Sequence, residues 1–340
     1  MVALGQVEGV GVVASQQLRV EAVVGHLAGQ RLDNLATDLV RIPTVLGTPI
    51  FIFISIFLFS MRYGNRIPRG FLGSRVKYVM VPYLVYGLAY SVAELLRLRA
   101  VGVDAGLWET LREYLVYAGW HGYFLIIAAQ FYAFYWLYGR LHLERWLPAT
   151  LWLVVGSLVG MGWWGYWQWR SSLPPGYLHW IAPLGWLYLF FLALVLVNHY
   201  HTRPSARPAW LDALARPRWL LGMVGLVVLL SLPGWLEYSS KEVWVVPLFV
   251  LFTLWLMGRL RGRPAPPLVR RLNEFSFGIY LAHPMFFNLV DLLDPDQRLP
   301  LLLYALALAA VGLAGSIAWN LAANHTAWGG LLFGKRLRVA

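Results

Sequence analysis

WIAPLGWLYLFFLALVLVN, residues 180–198, is the segment that most clearly indicates the class of fold. It contains no charged residue, and no polar stripe interrupts its apolar side chains. A helix that packs on the surface of a water-soluble protein keeps a polar face. A helix that crosses a bilayer needs about 20 mainly apolar residues. The segment therefore predicts a membrane-spanning α-helix.

The rest of the chain has the same character. Of its 340 residues, 59% are hydrophobic and 13% are charged, whereas a soluble domain carries about 25% charged residues. Residues 7–28 are long enough for a further span, but the polar residues Glu8, Gln16, Gln17, Arg19, Glu21 and His26 leave this segment marginal. Clear candidate spans lie at 46–61, 78–96, 119–138, 147–167, 180–198, 219–236, 243–258, 273–292 and 300–320. The prediction is one all-α domain over residues 1–340, a polytopic membrane helix bundle with about ten transmembrane helices.

Loop charge predicts the orientation of this bundle in the plasma membrane. Basic loops, such as 62–77 and 259–271, alternate along the chain with mixed or uncharged ones. Lys and Arg collect in cytoplasmic loops, so the C-terminus is predicted inside and residues 29–45 outside. If residues 7–28 span, the N-terminus is also cytoplasmic and there are ten spans; otherwise there are nine. The collection of Lys and Arg in cytoplasmic loops also explains the net charge of +12, so this charge does not indicate a nucleic-acid partner.

Ionisable residues inside a span are costly and usually face a cavity or a partner. Arg19 and His26 are two helical turns apart on the first segment and so share a face. They predict a polar wall of a reaction chamber, with His26 as a proton acceptor. The alternative is an amphipathic helix that lies on the membrane surface.

Two further histidines are candidates. His121 opens the span at 119–138, with Gln130 deeper in it, and an interfacial role is the alternative for this histidine. His283 lies in the middle of a span, where Pro284 frees a backbone carbonyl that needs a partner. Ser276 and Tyr280 precede it on the same helical face, so a reaction site or a structural hydrogen-bond network is predicted there.

The basic loop at 62–77 has two interpretations. It either sets the topology or forms an anion cradle at the cytoplasmic face, since Arg and Lys suit phosphate and pyrophosphate. Arg75 and Lys77 lie where the next helix enters the membrane, close in sequence to Arg66 and Arg69. The chain has no Cys, which excludes disulfides and thiolate metal sites. No histidine pair has metal-ligand spacing inside a span, so no metal is expected.

Four stretches carry a family resemblance. They are TPIFIFISIFLF (48–59), FLGSRVKYVMVPYLVYGLAY (71–90), WHGYFLIIAAQFY (120–132) and FSFGIYLAHPMFF (275–287). In order and spacing they resemble acyltransferase family three of the membrane-bound O-acyltransferases, and within it the exopolysaccharide branch that includes intercellular adhesion protein C. Arg75, His121, Tyr280 and His283 match positions of that family, whereas Ile56 replaces the glycine usual after Ser55.

The resemblance implies acyl transfer from cytoplasmic acyl-CoA to a sugar hydroxyl on the outer side. The family carries an Arg on its first helix and, eleven residues later, a His that is thought to be the base. Here residue 30, eleven after Arg19, is Gln, and residue 15, eleven before His26, is Ser. Either Arg19 and His26 form a pair shortened by a turn, or Glu8 and Arg19 take the two positions and the base is missing.

The leading hypothesis is therefore an O-acyltransferase that moves an acetyl or succinyl group to a cell-surface or lipid-linked glycan. Its predicted residues are, for catalysis, Arg19, His26, Tyr280 and His283; for acyl-CoA, Arg66, Arg69, Arg75 and Lys77; and for the acceptor, His121, Gln130 and Ser276. The alternatives are a glycan exporter and an accessory subunit of a polysaccharide synthase. Besides the bilayer, the hypothesis allows a synthase or a second copy of the chain as a protein partner.

Overall fold

The computed structural model describes residues 46–64, 67–100, 102–170, 178–202, 208–231, 241–260, 263–264, 266–293, 301–326 and 329–333. None of these residues lies in a β-strand. Within this part of the chain, the prediction of an all-helical protein is confirmed. Arg19, His26 and Arg66, together with the whole of the predicted first span, lie outside the described residues.

The α-helices are α1 Gly47–Tyr63, α2 Phe71–Arg75, α3 Val81–Ala100, α4 Leu107–Leu111, α5 Tyr123–Arg140, α6 Ala149–Trp169, α7 Leu178–Ile181, α8 Leu187–Leu196, α9 Ala209–Leu214, α10 Pro217–Ser231, α11 Lys241–Leu260, α12 Pro267–Leu293, α13 Leu301–Asn324 and α14 Gly329–Leu332. A π-helical turn, Val76–Met80, joins α2 to α3, and others follow α4 (Arg112–Val116) and α8 (Val197–Thr202). Short 3₁₀ turns lie at Leu143–Arg145 and Pro183–Trp186. Each clear candidate span overlaps one of these helices.

Several helices have the length and composition of a membrane span. Among the described residues, the stretches long and apolar enough to cross a bilayer are Phe71–Ala100, Pro183–His201, Glu242–Leu260 and Leu306–Asn324. Gly47–Tyr63 and Pro217–Leu230 are shorter apolar helices. The described chain is thus consistent with a multi-pass membrane protein, and the total of ten spans and the side of each terminus stay predictions.

The described chain forms two compact units. The central-helix unit comprises residues 46–72 and 123–260, and it is built around α8. This helix is apolar all round, and Tyr188, Phe190 and Phe191 are fully buried against α1 and α6. Gly156 and Gly160, one turn apart on α6, let the backbones of α6 and α8 approach closely.

The histidine unit comprises residues 73–122 and 263–333. Its long helices α12 and α13 pack against each other, and α14 contacts both α3 and α13. Gly278 of α12 faces the buried side-chain amide of Asn320, and Gly312 of α13 faces the ring of Phe287. A glycine on each of α12 and α13 therefore leaves space in which a larger side chain of the other helix packs. This packing holds α12 along its length, including the turn that contains Pro284.

Candidate functional site

A freed backbone carbonyl lies at the centre of the candidate site. Pro284 sits inside α12 and has no N–H, so the carbonyl of Tyr280, four residues earlier, lacks its helical donor. The sequence predicted that such a carbonyl needs a partner. The structure supplies two, because Nε2 of His121 lies 2.9 Å and Nδ1 of His283 lies 2.8 Å from the oxygen of Tyr280.

His121 reaches this carbonyl from a tight turn. The predicted span opens at residue 119, but α5 begins only at Tyr123, because Ala118 takes a left-handed conformation with φ 53°. Non-glycine residues with positive φ are uncommon and are often found at functional sites. Next to His121 in the turn, Trp120 is buried and stacks on Tyr83 with ring centroids 5.3 Å apart. The anchored Trp120 thus fixes the position of the neighbouring imidazole.

The hydrogen bonds to Tyr280 determine which ring nitrogens carry hydrogen. A carbonyl oxygen can only accept, so both imidazoles must donate to it, His121 through Nε2 and His283 through Nδ1. Nδ1 of His283 also lies 3.2 Å from the carbonyl oxygen of Ile279. A neutral imidazole that donates through Nδ1 carries its lone pair on Nε2. His283 is thus set up to accept a proton at Nε2.

The two imidazoles lie against each other and against aromatic rings. Their ring centroids are 5.0 Å apart with the planes inclined at 64°. The ring of Tyr280 lies 5.0 Å from that of His121, and Phe287 lies 5.1 Å from His283. Both histidines are half-buried. We call His121 and His283, joined at the carbonyl of Tyr280, the histidine pair.

Tyr90 completes the site, although it is not among the residues predicted from the sequence. Its hydroxyl donates to the carbonyl of Leu281 at 2.8 Å, one residue after Tyr280. Its ring centroid lies 5.5 Å from His121 and 5.3 Å from Trp120. The available signal was the position of Tyr86 and Tyr90 one turn apart on a mainly apolar span.

The other two residues predicted to contact the acceptor, Ser276 and Gln130, lie in different units of the structure. Ser276 is half-buried on the same face of α12 as Tyr280 and His283. Gln130 lies in the central-helix unit, where its Nε2 donates to the carbonyl of Ile181 at 2.8 Å, at the end of α7. That bond satisfies one of the carbonyls that a helix end leaves without an internal partner.

The cationic residues lie before α3, in α2, in the π-helical turn and in the turn that precedes α2. Nε and Nη2 of Arg75 lie 3.3 and 3.2 Å from Oγ of Ser74. Lys77 is exposed, with its ammonium 5.5 Å from the centroid of the Tyr78 ring. Arg69 is exposed in the turn before α2. Within the described ranges, no group of three or more His, Cys, Asp or Glu residues could hold a metal ion.

Comparisons with known proteins identify the family. A model described as an acyltransferase domain matches residues 23–320. A protein of Bacillus subtilis (strain 168), named provisionally as the membrane-bound acyltransferase YfiQ, is 28% identical over 94% of this chain and 90% of its own length. A Staphylococcus aureus (strain MRSA252) protein, named provisionally as a poly-β-1,6-N-acetyl-D-glucosamine export protein, is 22% identical over 73% of this chain and 71% of its own.

A Staphylococcus epidermidis protein with the same name as the S. aureus one is 25% identical over 72% of this chain and 68% of its own. No solved structure matches the chain significantly. The family model spans most of the chain and agrees with the resemblance carried by the four quoted stretches. The chain is therefore a membrane protein that belongs to acyltransferase family three.

Proposed function

We propose that this protein is a membrane-bound O-acyltransferase that moves an acetyl or succinyl group from cytoplasmic acyl-CoA to a sugar hydroxyl of a cell-surface or lipid-linked glycan. The observation that carries the proposal is the histidine pair. In a chain of an acyltransferase family, two imidazoles share one freed carbonyl. This arrangement leaves the lone pair of His283 on Nε2, as proton transfer from an alcohol requires.

The reaction needs a base and a group that stabilises negative charge. Nε2 of His283 would take the proton of the sugar hydroxyl as its oxygen attacks the thioester carbon. The C–S bond then breaks, and the CoA thiolate recovers the proton from the imidazolium. The developing oxyanion requires a donor, for which the hydroxyl of Tyr280 and the guanidinium of Arg19 are the proposed groups.

The tautomer of His283 bears on which of two histidines, His26 or His283, accepts the proton. From the resemblance, His26 is the expected base and His283 one of the expected oxyanion donors. With its hydrogen on Nδ1 bound to Tyr280, neutral His283 has a lone pair and no hydrogen on Nε2. This favours His283 as proton acceptor, and we propose that His26 either relays that proton or acts on the acceptor sugar.

The donor is proposed to bind along α3. Arg75 ends α2 and Lys77 lies in the π-helical turn that leads into α3. The prediction adds Arg66 and Arg69. Tyr90 of the histidine site lies thirteen residues beyond Lys77, a rise of about 20 Å along a helix. The phosphates of CoA would sit on the cations, and the extended pantetheine arm would carry the thioester toward the histidine pair. His121, Ser276 and Gln130 are proposed contacts for the acceptor.

The transmembrane arrangement is part of the proposal. Ten spans with both termini in the cytoplasm would place the 62–77 loop inside, where acyl-CoA is made available. The same arrangement places the turn before α5, with His121, toward the outer side. The alternation of basic and non-basic loops supports this orientation.

Reconstitution tests the activity directly. Purified protein in proteoliposomes would receive radiolabelled acetyl-CoA or succinyl-CoA, with oligosaccharides of N-acetylglucosamine or glucose as acceptors. We expect label in the sugar fraction from wild type and its loss from His283→Ala and His26→Ala. His142→Asn is the matched control, because this histidine is 55% exposed in a loop and takes a left-handed conformation that Asn tolerates. Full transfer by both Ala variants would rule out the proposed base.

Glycan export is the second candidate function, and the names of the staphylococcal relatives favour it. Proteoliposomes loaded with labelled oligosaccharide separate the two functions. Flux of unmodified glycan without any use of acyl-CoA would identify an exporter. An inactive protein that co-purifies with a glycosyltransferase would instead be an accessory subunit of a synthase.

A further inference from the structure

Pro284 determines how many donors compete for the carbonyl of Tyr280. In an unbroken α-helix, the N–H of residue 284 would donate to the carbonyl of residue 280. Proline has no N–H, so that position on the oxygen is open. The two imidazole nitrogens of the histidine pair occupy the oxygen instead, at 2.9 and 2.8 Å.

A carbonyl oxygen offers two lone pairs, and the histidine pair uses both. A third donor would therefore displace one of the imidazoles. An imidazole that loses its acceptor is free to move its hydrogen to the other ring nitrogen or to rotate, because the tautomer is set by the hydrogen bond that each nitrogen makes. The orientation of His121 and the lone pair of His283 thus depend on the missing N–H of Pro284.

We propose that Pro284 is a positioning residue that locks the tautomers of His121 and His283 by keeping the carbonyl of Tyr280 free of a backbone donor. Tyr90 supports the same turn, since its hydroxyl bonds the next carbonyl, that of Leu281, at 2.8 Å. The expected effect of Pro284 on turnover rests on the proposed function. The expected effect on the histidine tautomers does not, so tautomers and turnover can be tested separately.

The first variant is Pro284→Ala, which restores the N–H at position 284. ¹⁵N spectra of protein labelled at histidine, in detergent, report which ring nitrogen carries hydrogen, and the loss of signals in His121→Phe and His283→Gln assigns them. We expect at least one of the two histidines to leave its wild-type tautomer. Unchanged tautomers at both positions would overturn the proposal, whatever happens to activity.

A double variant makes the test sharper. Pro284→Ala combined with His121→Phe leaves two donors, the restored N–H and His283, for the two lone pairs. His283 should then carry its hydrogen on Nδ1, whichever imidazole the single variant displaces. If His283 left its wild-type tautomer to the same extent in the single and double variants, competition for the carbonyl would not explain the change of tautomer. The proposal would then fail.

The chain also contains a matched control. Pro247 lies inside α11, a helix without histidine, and Pro247→Ala likewise restores a helical N–H. It should leave both histidine tautomers unchanged. Alanine favours helix more than any other residue, so neither Ala variant should lower the unfolding temperature.

Turnover gives a second, independent readout. We expect Pro284→Ala to lower kcat about tenfold or more with little change in KM, because general-base catalysis is typically worth about 10²–10⁴-fold and one imidazole is misplaced. A changed tautomer at His283 with unchanged kcat would support the lock but refute His283 as the base. Lowered kcat with wild-type tautomers would refute the lock and leave the proposed function standing.

Discussion

Nε2 of His121 lies 2.9 Å from the carbonyl oxygen of Tyr280, a residue 159 positions further along the chain. This bond brings a turn before α5 against the proline-containing turn of α12. It also places the imidazole of His121 beside that of His283, with centroids 5.0 Å apart. The consequences of this relationship for chemistry and stability can be measured.

His283→Gln should lower kcat by about 10²–10⁴-fold if Nε2 of this imidazole accepts the proton of the sugar hydroxyl. Glutamine keeps a donor for the carbonyl of Tyr280 but has no basic nitrogen. The measurement is transfer of radiolabelled acyl groups at saturating acyl-CoA. A variant that keeps its unfolding temperature and more than about half of its turnover would exclude His283 from proton transfer.

Tyr90→Phe should destabilise the histidine unit by about 0.5–1.5 kcal/mol, because the hydrogen bond from the half-buried hydroxyl to the carbonyl of Leu281 is lost. The ring packing against His121 and Trp120 is retained. Thermal unfolding in detergent measures the change, and Tyr166→Phe is a control at a side chain that is 45% exposed. Equal unfolding temperatures for the two variants would show that the bond to Leu281 contributes little.

Gly278→Ala should destabilise the protein by about 1–3 kcal/mol, the usual cost of overpacking. A methyl group at this position would overlap the buried amide of Asn320 on α13. Gly162→Ala, in α6, is the matched control, since nothing lies within 4 Å of the added carbon and alanine is the better helix former by about 1 kcal/mol. The two substitutions should therefore change the unfolding temperature in opposite directions.

Arg75→Gln and Lys77→Gln should each raise KM for acyl-CoA about tenfold with little effect on kcat, because charged hydrogen bonds to phosphate contribute about 1.5–3 kcal/mol. The effect should shrink at high salt, which screens exposed charges. Arg140→Gln, at the end of α5, serves as a control for loss of one positive charge. A fall in kcat at unchanged KM would place these cations elsewhere in the reaction.

Glu113→Gln tests a half-buried carboxyl in the predicted loop before α5. Burial raises the pKa of Glu113 above its ordinary value of 4.5, although Arg112 opposes the shift. The folded state therefore binds this proton more tightly than the unfolded state, and its stability falls as pH rises through the folded-state pKa. The variant should be more stable than wild type at about pH 7, with the difference gone at about pH 4.

Glu109→Gln, at an exposed carboxyl in α4, is the control for the Glu113 measurement. Its unfolding temperature should follow that of wild type at both pH values. A Glu113→Gln variant less stable than wild type at about pH 7 would show that the carboxylate is instead stabilised in the folded state.

Three features could be predicted from the sequence. They are the membrane-helix composition, the alignment of Ser276, Tyr280 and His283 on one helical face, and the carbonyl that Pro284 leaves without its helical donor. These follow from local physical chemistry: apolar runs, a period of 3.6 residues and the missing N–H of proline. Hydropathy alone could not separate an interfacial role for His121 from a role inside the protein, because both place histidine at the end of a span.

The packing of the helices determines which donors bind the carbonyl of Tyr280, and that Tyr90 bonds the carbonyl of Leu281 next to it. It also places Gly278 against Asn320 and the amide of Gln130 against the carbonyl of Ile181. These contacts could not be predicted because they join segments that are distant in sequence. Their partners depend on how helices pack and rotate against one another, and a local pattern of residues does not encode that arrangement.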